Sequence, residues 1–122
     1  MPELKELEKK VVALIAEMTV DEKISQMMND APGIPRLGID PYNYWNESLH
    51  GVGRNGKATV FPEPIGLAAT FDSKLLYQIG ETISTEARAK FNEARKIGNH
   101  ARYTGLTFWA PNINIFRDPR WG

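Results

Sequence analysis

From Asp72 to Lys96 the chain sets Leu75, Leu76, Ile79, Ile83, Ala87 and Phe91 at helical spacing, in a run rich in Ala, Glu and Lys. That period suits one amphipathic helix and no strand. Asp72 or Thr70 can cap its start, and Gly98-Asn99 stops it. Beyond the stop, Leu106-Thr107-Phe108-Trp109-Ala110 reads as a strand that Pro111 ends. Before the helix lies the extended, proline-punctuated Val60–Leu67, and before that an aromatic stretch at 42–53 that does not look like an ordinary strand. Strand, crossover helix and second strand predict a parallel α/β arrangement. A parallel sheet needs cover on both faces, which two or three strands and one long helix do not provide. The chain therefore reads as an incomplete α/β unit, and its abrupt ending at Arg120-Trp121-Gly122 suits a cut piece.

Ahead of this unit, Leu4, Leu7, Val11, Leu14, Ile15 and Met18 form one face of a helix whose Glu and Lys face is solvated. Thr19 followed by Glu22 is a capping box, predicting a second helix from Val20 to about Met28 that buries Ile24, Met27 and Met28. The three prolines and two glycines of Asn29–Pro41 predict a long connection or a short strand entry.

Charge and composition exclude several functions. Fifteen Lys plus Arg balance fifteen Asp plus Glu, so no global field points to nucleic acid or an anionic membrane. No apolar run is long enough to cross a bilayer. The charged N-terminus has no secretory apolar core, so a cytoplasmic protein is expected. Two histidines without cysteine predict no metal site, and no cofactor is expected. Arg54-Asn55-Gly56-Lys57 signals a turn; Gly51, Gly53 and Gly56 do not match a phosphate-loop spacing. Glu81 and Glu86 lie on the long helix, where a solvated face is expected, and His100 suggests no role.

The stretch Tyr42-Asn-Tyr-Trp-Asn-Glu-Ser-Leu-His-Gly-Val-Gly53 stands apart. Trp45, Asn46, Glu47 and His50 together carry more hydrogen-bonding capacity than a core satisfies cheaply. Aromatic faces beside carboxylate and amides suit a sugar, whose C–H face stacks while its hydroxyls donate to the carboxylate. A surface turn with an aromatic anchor is the competing reading.

Tyr42–Gly51 resembles the first substrate-binding loop of glycoside hydrolase family three. Thr59-Val-Phe-Pro62 with Gly66-Leu-Ala-Ala-Thr-Phe-Asp72, Ile83-Ser-Thr-Glu-Ala-Arg-Ala89 and Leu106–Gly122 are similar to its following motifs, in order. The nearest branch resembles β-xylosidases and their β-glucosidase or α-L-arabinofuranosidase relatives. The resemblance implies the N-terminal part of a (β/α)8 TIM-type barrel across 1–122, incomplete in this chain, with leading helices at 1–30 and the first βα units at 31–122. It also implies retaining hydrolysis of β-linked sugars, with the nucleophilic Asp and the acid/base Glu downstream, so that no catalytic residue is expected here.

By the same resemblance, Glu47 holds hydroxyls of the terminal sugar, Trp45 flanks the leaving-group side and Trp109 lies beside the sugar or in a barrel strand's core. His50 is a hydroxyl donor or a loop brace. Asp118, between Arg117 and Arg120, is expected as structural support, an ion-paired turn. The Glu at 47, longer than the Asp of many family glucosidases, favours a pentose. The implied partners are a β-linked oligosaccharide or glycoside, the remainder of the barrel and the next domain. A fragment with open edges is also expected to self-associate, or to act as a non-catalytic sugar-binding module.

Overall fold

The computed structural model describes residues 2–110. The chain forms two compact units, residues 1–42 and 43–122.

The first unit opens with helix α1, Pro2–Glu17, and helix α2, Val20–Ser25. The capping box is formed as read: Thr19 Oγ1 accepts the Glu22 N–H at 3.2 Å, and the Glu22 carboxylate accepts the Thr19 N–H at 2.8 Å. Helix α2 stops three residues short of the expected end. Its last turn tightens, with Met27 N–H donating to Ile24 C=O and Met28 N–H to Ser25 C=O, and Gln26 turns its side chain to the Pro32 carbonyl. The expected burial of Ile24, Met27 and Met28 is wrong as well, since they are 59%, 85% and 61% exposed. Among the described residues of this unit the buried apolar ones are Ala31 and Ile34, too little surface to cover two helices. Strand β1, Asp30–Ala31, and a 3₁₀ turn, Pro35–Leu37, follow, and Ile34 and Ile39 pair across the turn.

Arg36, on that turn, fastens the unit. Its guanidinium grips both Glu22 oxygens, with Nε at 2.8 Å, and donates to the Glu17 carbonyl at 2.9 Å. The guanidinium, helped by the Thr19 N–H, lowers the Glu22 carboxyl from 4.5 to about 2. A depressed carboxyl pKa stabilises the fold above its ordinary value and loses that contribution as pH falls toward the folded value. Following the Glu22 carboxyl carbon by NMR should therefore give a midpoint near 2, and Arg36→Met should return it toward 4.5. A wild-type midpoint already at 4.5 would contradict the clamp.

Strand β2, Tyr42–Asn43, carries the chain into the second unit. There β3, Asn46–Glu47, pairs in parallel with β4, Phe108–Trp109, with Asn46 opposite Phe108 and Glu47 opposite Trp109. Between them run helix α3, Pro64–Ala68, and helix α4, Ser73–Lys96. A parallel pair joined through helices gives the expected α/β class, but its first strand lies at Asn46–Glu47 in the aromatic stretch and not in the extended Val60–Leu67 segment that the sequence offers. Helix α3 departs from the extended reading of Val60–Leu67. Pro64 stands at its first turn, where a missing N–H costs nothing, and only Val60–Glu63 stays outside a helix.

Helix α4 has the expected bounds. Asp72 Oδ1 accepts the Leu75 N–H at 2.9 Å, which selects Asp72 over Thr70 as the cap. At the far end Gly98 takes φ +67°, its N–H donating to Arg95 C=O, while the Asn99 N–H reaches Ala94 C=O. Ile79, Ala87 and Ala94 form the buried side of α4.

Candidate sugar-binding site

The site grows from β-sheet geometry. Side chains alternate along a strand, so Trp45 and Glu47 share one face, and the parallel register sets Trp109 opposite Glu47. The two indoles stack, with centroids 5.0 Å apart and planes 24° from parallel. Trp45 Nε1 donates to Glu47 Oε1 at 3.1 Å. Glu47 Oε2 faces Arg54 Nε at 3.3 Å, and the glutamate side chain keeps 28% of its surface exposed. A carboxylate offers about four acceptor positions, and its polar contacts among the described residues use two of them.

The preceding residue on the strand is used in the opposite way. Asn46 is fully buried, and its side chain is consumed by backbone. Its Nδ2 donates to the Asn43 and Thr107 carbonyls, both at 3.0 Å, and its Oδ1 accepts the Gly105 N–H at 2.8 Å. By sequence Asn46 belongs with Trp45, Glu47 and His50 as a group with more hydrogen-bonding capacity than a core satisfies cheaply. Here it ties β3 to the chain entering β4, with both amide hydrogens used and no surface open to a ligand.

The two tryptophans also differ. Trp45 is half-buried, covered by Trp109 and approached by Arg102, whose guanidinium lies 5.2 Å from its ring. Trp109 remains 58% exposed and is the indole of the pair with open surface.

His50 Nδ1 lies 2.7 Å from the Phe61 carbonyl, so Nδ1 carries the hydrogen, and Phe61 N–H returns a bond to His50 C=O at 2.8 Å. Nε2 faces Glu63 at 3.4 Å. These contacts join the two ends of the 50–61 loop. At its base Gly51 has φ +128°, and a Cβ there would fall 2.2 Å from the Thr59 carbonyl oxygen, so no other residue fits. Asp118, Arg117 and Arg120 lie outside the described residues.

Two residues that the sequence reading passed over hold this loop from α4. Glu86 is not merely a solvated acid. Its carboxylate accepts the Thr59 N–H at 3.0 Å and the Thr59 hydroxyl at 2.6 Å, which lower its pKa. Lys90, one turn on, donates to the Asn55 and Lys57 carbonyls at 2.7 and 2.6 Å. Helical spacing alone puts both on a polar face; only the fold shows that a loop lies against it. Among the described residues no group of three His, Cys, Asp or Glu is placed to hold a metal, and no helix is long and apolar enough to cross a membrane.

Comparison with known proteins gives the family. Residues 9–122 match the family described as Glycosyl hydrolase family 3 N terminal domain. The chain is 49% identical over 119 residues to "Probable beta-D-xylosidase 7" of Arabidopsis thaliana, covering 89% of this chain and 15% of that protein. It is 44% identical over 115 residues to "Xylan 1,4-beta-xylosidase" of Xylanibacter ruminicola, covering 93% and 13%. It is 50% identical over 121 residues to "Probable exo-1,4-beta-xylosidase bxlB" of Aspergillus oryzae, covering 90% and 14%. The chain thus spans about one seventh of the length of the relatives it matches. With a family match over nearly its whole length and a parallel βαβ core to carry it, the chain belongs to the glycosyl hydrolase family 3 N-terminal domain.

Proposed function

We propose that this chain supplies the first wall of the sugar pocket in a retaining β-xylosidase, as the opening βα units of a (β/α)8 barrel. The observation that carries the reading is the Glu47 carboxylate, held by Trp45 and Arg54 with acceptor positions to spare, beside the open face of Trp109. The relatives named as β-xylosidases support it. Two hydroxyls of a terminal sugar donate to Glu47 while the ring packs on Trp109. Trp45, already covered, orients the carboxylate through its N–H. The length of Glu47 fills space that the hydroxymethyl group of glucose would need, which favours xylose.

The chemistry itself belongs to residues outside this chain. In the retaining mechanism one carboxylate attacks the anomeric carbon, and a second protonates the leaving oxygen and then activates water. Positioning the sugar between them is this chain's contribution.

The test is hydrolysis of aryl β-xylosides, β-glucosides and α-L-arabinofuranosides by the full-length protein and by residues 1–122 alone. Release of aryl alcohol fastest from the xyloside, by the full-length protein only, is expected. Turnover by the short chain that survives repurification, or a glucoside preference, would overturn the reading. A second reading, self-association of the isolated chain, is supported by exposed Val60, Ile65 and Phe71, at 75%, 76% and 95%.

A further inference from the structure

Arg54 stands in an unusual conformation at the edge of the site. It is a non-glycine residue with φ +55°, in the left-handed region that costs an ordinary side chain roughly 1–2 kcal/mol. Both of its neighbours are tied. On one side the Gly53 N–H donates to the Glu47 carbonyl at 2.7 Å. On the other, the Asn55 carbonyl takes the Lys90 ammonium, which also holds Lys57. Four residues earlier on α4, Glu86 binds Thr59 through both its backbone N–H and its hydroxyl. The loop is thus pinned at tip and base by one helix face. Its product is a guanidinium set 3.3 Å from Glu47 and 5.8 Å from the Tyr103 ring.

We propose that Lys90 and Glu86 are positioning residues for sugar recognition: from α4 they hold the 51–59 loop so that the Arg54 guanidinium stands against the Glu47 carboxylate. This rests on the reading of Glu47 as the hydroxyl-gripping acid. Neither residue touches the sugar. Their effect passes through the direction in which Glu47 presents its remaining acceptor positions. That interaction is made alike before and during bond cleavage, so its loss raises KM and leaves kcat nearly unchanged.

The experiment is a double-mutant cycle in the full-length protein, reading KM and kcat on an aryl β-xyloside and xylose-induced quenching of tryptophan fluorescence. Lys90→Met, which keeps the stem and removes the donors, is expected to raise KM about fivefold to tenfold at nearly constant kcat. Glu86→Ala is expected to act in the same direction, and Lys90→Arg to restore most of the loss. In an Arg54→Ala background Lys90→Met should add almost nothing, the sign of a shared route. A Lys90→Met penalty that is absent, falls on kcat, or persists undiminished without Arg54 overturns the inference alone. A wild type that neither cleaves the xyloside nor responds to xylose overturns the proposed function and this inference with it.

Discussion

Asn46→Asp is expected to be a highly damaging single-group exchange, costing about 3–5 kcal/mol of stability. Asn46 is fully buried, and its Nδ2 faces two carbonyl oxygens. The exchange replaces that donor with an acceptor, sets oxygen against the Asn43 and Thr107 carbonyls, and asks a carboxyl to lose its water. The near-isosteric Asn46→Leu removes the clash of acceptors but orphans the same carbonyls and the Gly105 N–H. Both variants should lower the thermal midpoint and weaken the near-ultraviolet circular dichroism of the Trp45–Trp109 stack, because Asn46 bridges the segments that carry both rings. A wild-type midpoint and stack signal in Asn46→Leu would show that the register is held by something else.

The prediction illustrates which parts of this molecule are legible in its sequence. Helix α4 is, because one period runs through two dozen positions and both ends carry boundary signals, Asp72 or Thr70 as cap and Gly98-Asn99 as stop. Thr19 and Glu22 are equally plain, since each satisfies the other within one turn. The parallel sense of the pair follows from the helix between its strands, but the place of the first strand, Asn46–Glu47, does not. Residues whose partners lie far along the chain are not legible. Asn46 reaches Gly105 and Thr107, and Glu86 reaches Thr59, across separations that no local pattern encodes. Beside Trp45 and Glu47 an amide looks like a ligand contact, and alternation along the strand is what turns it inward.

Burial was the other misreading. The apolar stripe of α2 gives the right helix start but not a buried face, as Met27 and Met28 show. A period says which side of a helix prefers to be covered; it does not supply the cover. Helix α3 was hidden for a different reason. Two prolines close together suggest extension, yet the second of them occupies the one helical position that suits it.

The second large effect concerns Glu47. Two hydroxyl hydrogen bonds to a charged acceptor contribute about 1.5–3 kcal/mol each, so removing the carboxylate should cost about 10²-fold or more in specificity constant. The fold should tolerate the change. Arg54 is 69% exposed and regains water when its partner is lost, while Trp45 keeps its stacking on Trp109. Glu47→Ala therefore separates recognition from stability, as Asn46→Asp does not. The decisive measurement is kcat/KM of Glu47→Ala on an aryl β-xyloside in the full-length protein, with the Trp45–Trp109 circular dichroism as the check on folding. A fall of about 10²-fold or more with the stack signal intact is predicted; a value within about threefold of wild type would contradict the role of Glu47 as the acid that grips the sugar.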